Sequence, residues 1–192
     1  MSRATGKTLT LLLSAVIIGG FAAPPAAASV ADDEMAETSG ETCVVNVQTK
    51  KQRCFDSFAQ AVSHATAGKV RTGTKTARQA AADPAFERQI NAIAATPAAS
   101  YVLSIEWLSG NFSGAQRVFT ATGPCDSSAD LDWQLGYVGD DWNDRITSFR
   151  GYSNCLVKHW EHKDFRGLST GLQSESSNLG ILDNRTSALQ WF

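Results

Sequence analysis

Apolar residues are spaced in three different ways along the chain, and each spacing predicts a different kind of segment. Residues 11–22 form one apolar run behind a charged start at Arg3 and Lys7, and small residues follow through Ala26, Ala27, Ala28, Ser29, Val30 and Ala31. The run falls short of the ~20 residues that a spanning helix needs. It predicts a secretory leader over 1–31, with cleavage after Ala28 or Ala31 placing small residues at both critical positions. No other apolar stretch is long enough to span a bilayer, so the mature protein is expected to be exported, with no membrane partner.

Between residues 43 and 93 apolar positions are sparser and fall first on a hairpin, then on helical faces. Cys43-Val44-Val45-Asn46-Val47, a turn at Thr49-Lys50-Lys51-Gln52 and the return Arg53-Cys54-Phe55 predict a hairpin over 43–55. Asp56 or Ser57 can cap a helix over 57–66, with Phe58, Ala61, Val62 and Ala65 on one face and Gly68 past its end. Pro84 at a first-turn position opens a second helix over 84–94, with Phe86, Ile90 and Ile93 sharing a face. Thr96-Pro97-Ala98 then reads as a linker. With little core of its own, 32–99 reads as a weakly structured N-terminal region, a propeptide or a spacer.

From Tyr101 the pattern turns to strands. Segments 101–107, 116–120, 146–149, 155–160 and 188–192 are β-rich, and Gly110 and Gly114 bend the chain between the first two. Short strands separated by turn signals predict a β-sandwich over 100–192.

Two signatures repeat within that segment. WLSGNFSG at 107–114 and WEHKDFRG at 160–167 both read aromatic, four residues, Phe, one residue, Gly. NDRITS at 143–148 and DNRTSA at 183–188 both pair two amide or carboxylate side chains with a hydroxyl after two spacers. The order hairpin, acidic turn, hairpin, acidic turn predicts an internal duplication. Asn, Asp and Ser populate turns for local reasons, so one such turn would mean little. A repeated turn offers hard oxygens twice, and six to eight oxygens at about 2.3–2.6 Å are what Ca²⁺ requires.

In these paired motifs, residues 100–192 resemble the βγ-crystallin family in its microbial, calcium-binding branch. The resemblance implies a mainly β, double Greek-key sandwich of two packed sheets, here preceded by the hairpin-helix region. It implies Ca²⁺ as the bound ion. One site would use Asn143, Asp144, Thr147 and the Arg145 carbonyl, the other Asp183, Asn184, Ser187 and the Arg185 carbonyl. Hairpin carbonyls from near Gly110 and Lys163 would complete them. Leu179-Gly180-Ile181-Leu182 matches the family's approach to its turn, whereas Ala188 stands where a Ser is expected. The alternative is a metal-free Greek key whose turns keep this sequence for their own hydrogen bonds. Few charged ligands imply a weak, extracellular-grade site.

Cysteine usage fits export. Cys43, Cys54, Cys125 and Cys155 are even in number and lack CxxC spacing, which favours disulfides over redox chemistry. Of three possible pairings, Cys43–Cys54 and Cys125–Cys155 each stay within one structural unit. The second would close a loop worth ~3 kcal/mol in a chain-entropy estimate.

Charge changes the picture less. The net charge is −2, but 32–42 carry five acids and no base, 43–98 carry eight Lys/Arg against three acids, and 99–192 carry seven against eleven. The basic middle is scattered and has no aromatic platform, so it reads as a solvated surface and no nucleic-acid partner is expected.

Catalytic patterns find no supporting context. Gly167-Leu168-Ser169-Thr170-Gly171 spells G-x-S-x-G but lacks the strand–turn–helix setting of a nucleophile elbow. His159 and His162, three apart on a strand, point to opposite faces and make a poor zinc pair. His64 stands alone on the first helix. Asp140-Asp141 and Glu161/Asp164 read as turn acids. The expectation is therefore a secreted, monomeric, non-enzymatic calcium-binding protein with a structural or interaction role. The resemblance also implies an alternative, an inhibitor of an extracellular metalloprotease presenting residues 126–133, or an antifungal toxin-like protein. A cell-surface adhesion module is a third possibility.

Overall fold

The computed structural model describes residues 41–93, 100–126 and 128–192. The expected leader, the acidic stretch 32–40 and the Thr96-Pro97-Ala98 linker lie outside the described residues. Among the described residues, no helix is long and apolar enough to cross a membrane.

Strands β1 (Thr42–Asn46) and β2 (Gln52–Phe55) form an antiparallel hairpin. Helix α1 (Phe58–Ala65) follows, capped by the Ser57 hydroxyl accepting from the Gln60 N–H, and buries Phe58, Ala61, Val62 and Ala65. Helix α2 (Ala77–Ala81) starts from a reciprocal capping box between Thr76 and Gln79. Helix α3 (Pro84–Asn91) has Asp83 as its cap and Pro84 in its first turn, and buries Phe86 and Ile90.

The remaining strands are β3 (Tyr101–Ser109), β4 (Ser113–Ala121), β5 (Trp133–Leu135), β6 (Ser148–Gly151), β7 (Val157–His162), β8 (Arg166–Ser169), β9 (Glu175–Ser176) and β10 (Ala188–Trp191). They form two sheets, ordered β2-β1-β4-β3-β6-β9 and β5-β10-β7-β8. Each four-strand repeat lends its third strand to the other sheet: β5 pairs with β10, and β9 pairs with β6. This exchange makes a double Greek key, so the halves cannot separate without breaking both sheets.

The N-terminal segment differs from its sequence reading. Described residues 41–93 are not a loosely structured appendage but part of the same sheet and core. β1 runs parallel to β4, from Cys43 opposite Arg117 to Asn46 opposite Thr120. The physical reason is that the first sheet is apolar on both faces, as a sheet covered on both sides must be. Val44, Val102, Ile105, Trp107 and Val118 pack with Phe58, Val62, Phe86 and Ile90 of the helices. Val45, Leu103, Phe119 and Phe149 face the second sheet and meet Val157, Leu189 and Trp191. The amphipathic helices have little core of their own because their partner is a sheet formed by residues far along the chain.

Cys43 bonds Cys54, its directly opposite neighbour in the hairpin, and Cys125 bonds Cys155, which fastens the loop after β4 to the β6–β7 connection. Inside the sandwich Glu106 and His159 are both fully buried and lie 3.0 Å apart, one from each sheet.

Candidate metal centre

The two hairpins are folded over in the same way. Asn111 and Phe112 have φ of 54° and 59°, and Asp164 and Phe165 have 57° and 61°. Two successive left-handed residues turn each Phe ring back onto the aromatic that opens its motif. Phe112 meets Trp107 at 5.5 Å and Phe165 meets Trp160 at 6.4 Å, both edge-on. The closing glycine is required at both places. A Cβ on Gly114 would lie 2.7 Å from Ser109 Oγ, and one on Gly167 would lie 2.8 Å from Glu161 Oε2, with both positions at φ 79°.

The two acidic turns are likewise copies. Asp144 at φ 59° and Asn184 at φ 55° hold the second position of each, a conformation that Asn and Asp tolerate better than most residues. The turns bond each other reciprocally: Asp144 N–H donates to Thr186 O at 3.0 Å, and Asn184 N–H donates to Ile146 O at 3.0 Å. Each also bonds its hairpin, Thr147 N–H to Trp107 O at 3.0 Å and Ser187 N–H to Trp160 O at 2.8 Å. These matched pairs define a pseudo-twofold axis between the halves.

That axis crosses the donors over. Thr147 Oγ1 lies 2.7 Å from Asp183 Oδ1 and 3.2 Å from Leu108 O. The hydroxyl of the first turn thus meets the carboxylate of the second, not Asn143 or Asp144 of its own. In the symmetric corner, Ser187 Oγ donates to Glu161 O at 2.8 Å. Asn143 is the counterpart of Asp183 in the repeat, opening the first turn as Asp183 opens the second. Its Oδ1 is buried and has no hydrogen-bond partner among the described residues.

Several expected groupings therefore change. In the first corner the donors do not collect turn by turn, since Thr147 of one turn meets Asp183 of the other. The hairpin carbonyls within reach are those of Leu108 and Glu161. Gly110 O instead accepts from Ser113 Oγ, and Lys163 O accepts from Arg166 Nε. The side chains of Asp144 and Asn184 are exposed and bonded to their neighbours, Asp144 Oδ2 accepting from Asn143 Nδ2 and Asn184 Nδ2 donating to Asp183 Oδ1. Their left-handed backbone is reason enough for their residue type. Arg145 and Arg185 fold back onto the carbonyls of Asp141 and Ile181.

Ser148 shows what Ala188 lacks. Its Oγ donates to Ser109 O at 2.6 Å and accepts from the Phe112 N–H at 3.1 Å, lacing the first hairpin to its turn. Ala188 cannot do so for the second. There Glu161 ties the parts together, accepting from the Leu168 N–H at 2.9 Å and pairing with Arg185. The Leu168 hydrogen bond, with Arg185 adding to it, holds the Glu161 carboxyl below its usual range.

The crossing was not visible in the sequence, because neighbours in the chain suggest neighbours in the site. The clue was present in the duplication itself, since third-strand exchange brings each turn against the other half.

A carbonyl, a hydroxyl and a carboxylate meet in the first corner, and a hydroxyl meets a carbonyl in the second, all of them oxygen donors. Such donors suit a hard cation rather than zinc or copper. The unpartnered Asn143 Oδ1 fits that use, since buried polar atoms seldom go without a partner. Elsewhere among the described residues, Glu41 lies with the sulfurs of Cys43 and Cys54. Those sulfurs are bonded to each other, so no thiolate is present to hold an ion. His159 is buried and His162 exposed, facing apart as their spacing predicts. The G-x-S-x-G segment starts in β8, without a strand–turn–helix setting.

No family model matches the sequence, and no curated protein matches it. Among solved structures, a βγ-crystallin domain from Flavobacterium johnsoniae is similar over 47% of this chain and 93% of its own, with 17% identity and a TM-score of 0.35. A βγ-crystallin from an archaeon matches 47% of this chain and 98% of its own, at 24% identity and a TM-score of 0.35. The βγ-crystallin domain of Abundant Perithecial Protein from Neurospora crassa, in its Ca²⁺-bound form, matches 50% and 93%, at 14% identity and a TM-score of 0.38. With its folded hairpins, paired turns and exchanged third strands, the segment from Tyr101 onward is a double Greek key.

Proposed function

We propose that this is an exported, non-catalytic protein that binds Ca²⁺ at the two crossed corners, where the ion ties the two halves together. The observation that carries the reading is the meeting of Thr147 Oγ1, Asp183 Oδ1 and Leu108 O from three separate parts of the repeat. Asp183, Thr147 and Leu108 O would hold one ion. Asn143, Ser187 and Glu161 O would hold the other, with the Arg145 and Arg185 carbonyls as further donors. The first corner carries a carboxylate and the second only an amide, so the first binds more tightly. Export is supported by the leader pattern over 1–31 and by two disulfides, which persist in oxidising surroundings.

An ion that binds only the folded state adds about 2.7 kcal/mol at a hundredfold excess over its dissociation constant. For a chain of this size that is a rise in melting temperature of roughly 5–10 °C. Scanning calorimetry of the chain from residue 32 should show this rise with millimolar CaCl₂ and a smaller one for Asp183→Ala. An unchanged melting temperature in the parent would remove calcium from the account.

A further inference from the structure

The Lys and Arg residues of 43–98 look scattered in sequence, but the fold gathers three of them. Lys75 is neutralised by Asp83 at 2.6 Å. Lys51, Arg53 and Arg71 instead border two adjoining hollows of about 360 and 480 Å³ beside α1, which share His64 as their common wall. Between these cations stand amides and hydroxyls, among them Thr49, Gln52, Gln60 and Ser63. No Asp or Glu is among the described lining residues. Thr72, in the wall of the larger hollow, is buried, and its hydroxyl has no hydrogen-bond partner among the described residues. Burial first, and Arg53 second, push His64 below its ordinary value, leaving a neutral ring in mid-trough at neutral pH.

We propose that this trough is a docking surface for an acidic polysaccharide, a chain of sugar units bearing carboxylates. Spaced cations meet the repeating charges, and the intervening amides and hydroxyls match sugar hydroxyl groups. A single-stranded nucleic acid fits less well. Successive bases need successive aromatic faces, and among the described lining residues Phe55 is the one Phe, Tyr or Trp, already flanked by His64 at 4.9 Å and Arg53 at 5.3 Å. The inference is independent of calcium.

The test is titration of the chain from residue 32 with octagalacturonate at low salt, in the presence of a calcium chelator, followed by calorimetry. The expected result is saturable binding that Arg53→Ala with Arg71→Ala weakens about tenfold or more, and that added salt weakens too. The pair Lys158→Ala and Arg166→Ala, on the other sheet, should bind as the parent does, and a neutral galactose oligomer should not bind. Melting curves identify any variant that fails to fold, and Arg53→Lys with Arg71→Lys then serves as the charge-preserving control. No binding by the parent would overturn the proposal, as would binding unaffected by the Arg53 and Arg71 replacements. Tighter binding of octaglutamate or of an oligothymidylate would overturn it in favour of a peptide or a nucleic acid.

Discussion

Deleting residues 41–93 is expected to leave residues 100–192 unable to fold as a soluble monomer. The double Greek key looks self-contained in its strand order, yet its first sheet is built with an apolar outer face. Val102, Ile105, Trp107, Val118 and Tyr152 are all buried under the N-terminal segment. Fully burying each such side chain is worth ~1.5–3 kcal/mol, so exposing all five costs on the order of 10 kcal/mol. That rivals the whole stability of an ordinary domain, about 5–15 kcal/mol. The deletion also strips β1 from the edge of β4 and removes the buried hydrogen bond from Gln116 to Thr42. Near-ultraviolet circular dichroism and size-exclusion chromatography of the 100–192 fragment, beside the chain from residue 32, check this. Aggregation or loss of the aromatic signal is expected. A monomeric fragment with a cooperative melt would show that the helices are dispensable.

Glu106→Ala should be the most damaging single substitution, costing about 3–5 kcal/mol. Glu106 has no exposed side-chain surface, and each of its oxygens is engaged. Ser104 Oγ donates to one at 2.8 Å, and His159 Nε2 lies 3.0 Å from the other. Trp191 Nε1 in turn donates to Ser104 Oγ at 3.1 Å, so the network joins β3 to β7 and β10 across the sandwich. Removing the carboxylate leaves a buried imidazole whose Nδ1 already lacks a partner among the described residues. Removing both partners leaves only the Ser104 hydroxyl without its acceptor, so Glu106→Leu with His159→Leu should recover part of the loss. Urea denaturation of Glu106→Leu, His159→Leu and their double variant, beside Glu106→Ala, measures this coupling. A loss below about 1 kcal/mol for Glu106→Ala would mean that the network adds nothing beyond shape.

Both predictions concern features that the sequence conveyed unevenly. The folded hairpins and acidic turns were legible because left-handed backbone positions select Gly, Asn and Asp, and the spacing of those residues survives duplication. Strands β3 and β4 were legible from their β-branched and aromatic content. β5 and β9, three and two residues long, were not, since their neighbours hold them in place. The N-terminal segment was misread for a related reason. The apolar faces of α1 and α3 were visible, but their partner surface on Val102, Ile105 and Val118 lies on strands that begin only at Tyr101. Arg53 and Arg71, 18 residues apart, border adjoining hollows only because β2 packs beside α1.

The same limit applies to the metal centre. Residue types at the turns could be read locally, whereas the partner of Thr147 could not, because it comes from the other repeat. Calcium titration calorimetry of the Thr147→Ala/Asp183→Ala double variant, beside the parent, tests the crossing most directly. In crossed corners both residues serve one ion; if each turn binds alone, they serve two. The account predicts two ions for the parent and one for the double variant. Two for the parent and none for the variant, or no calcium binding by the parent, would contradict it.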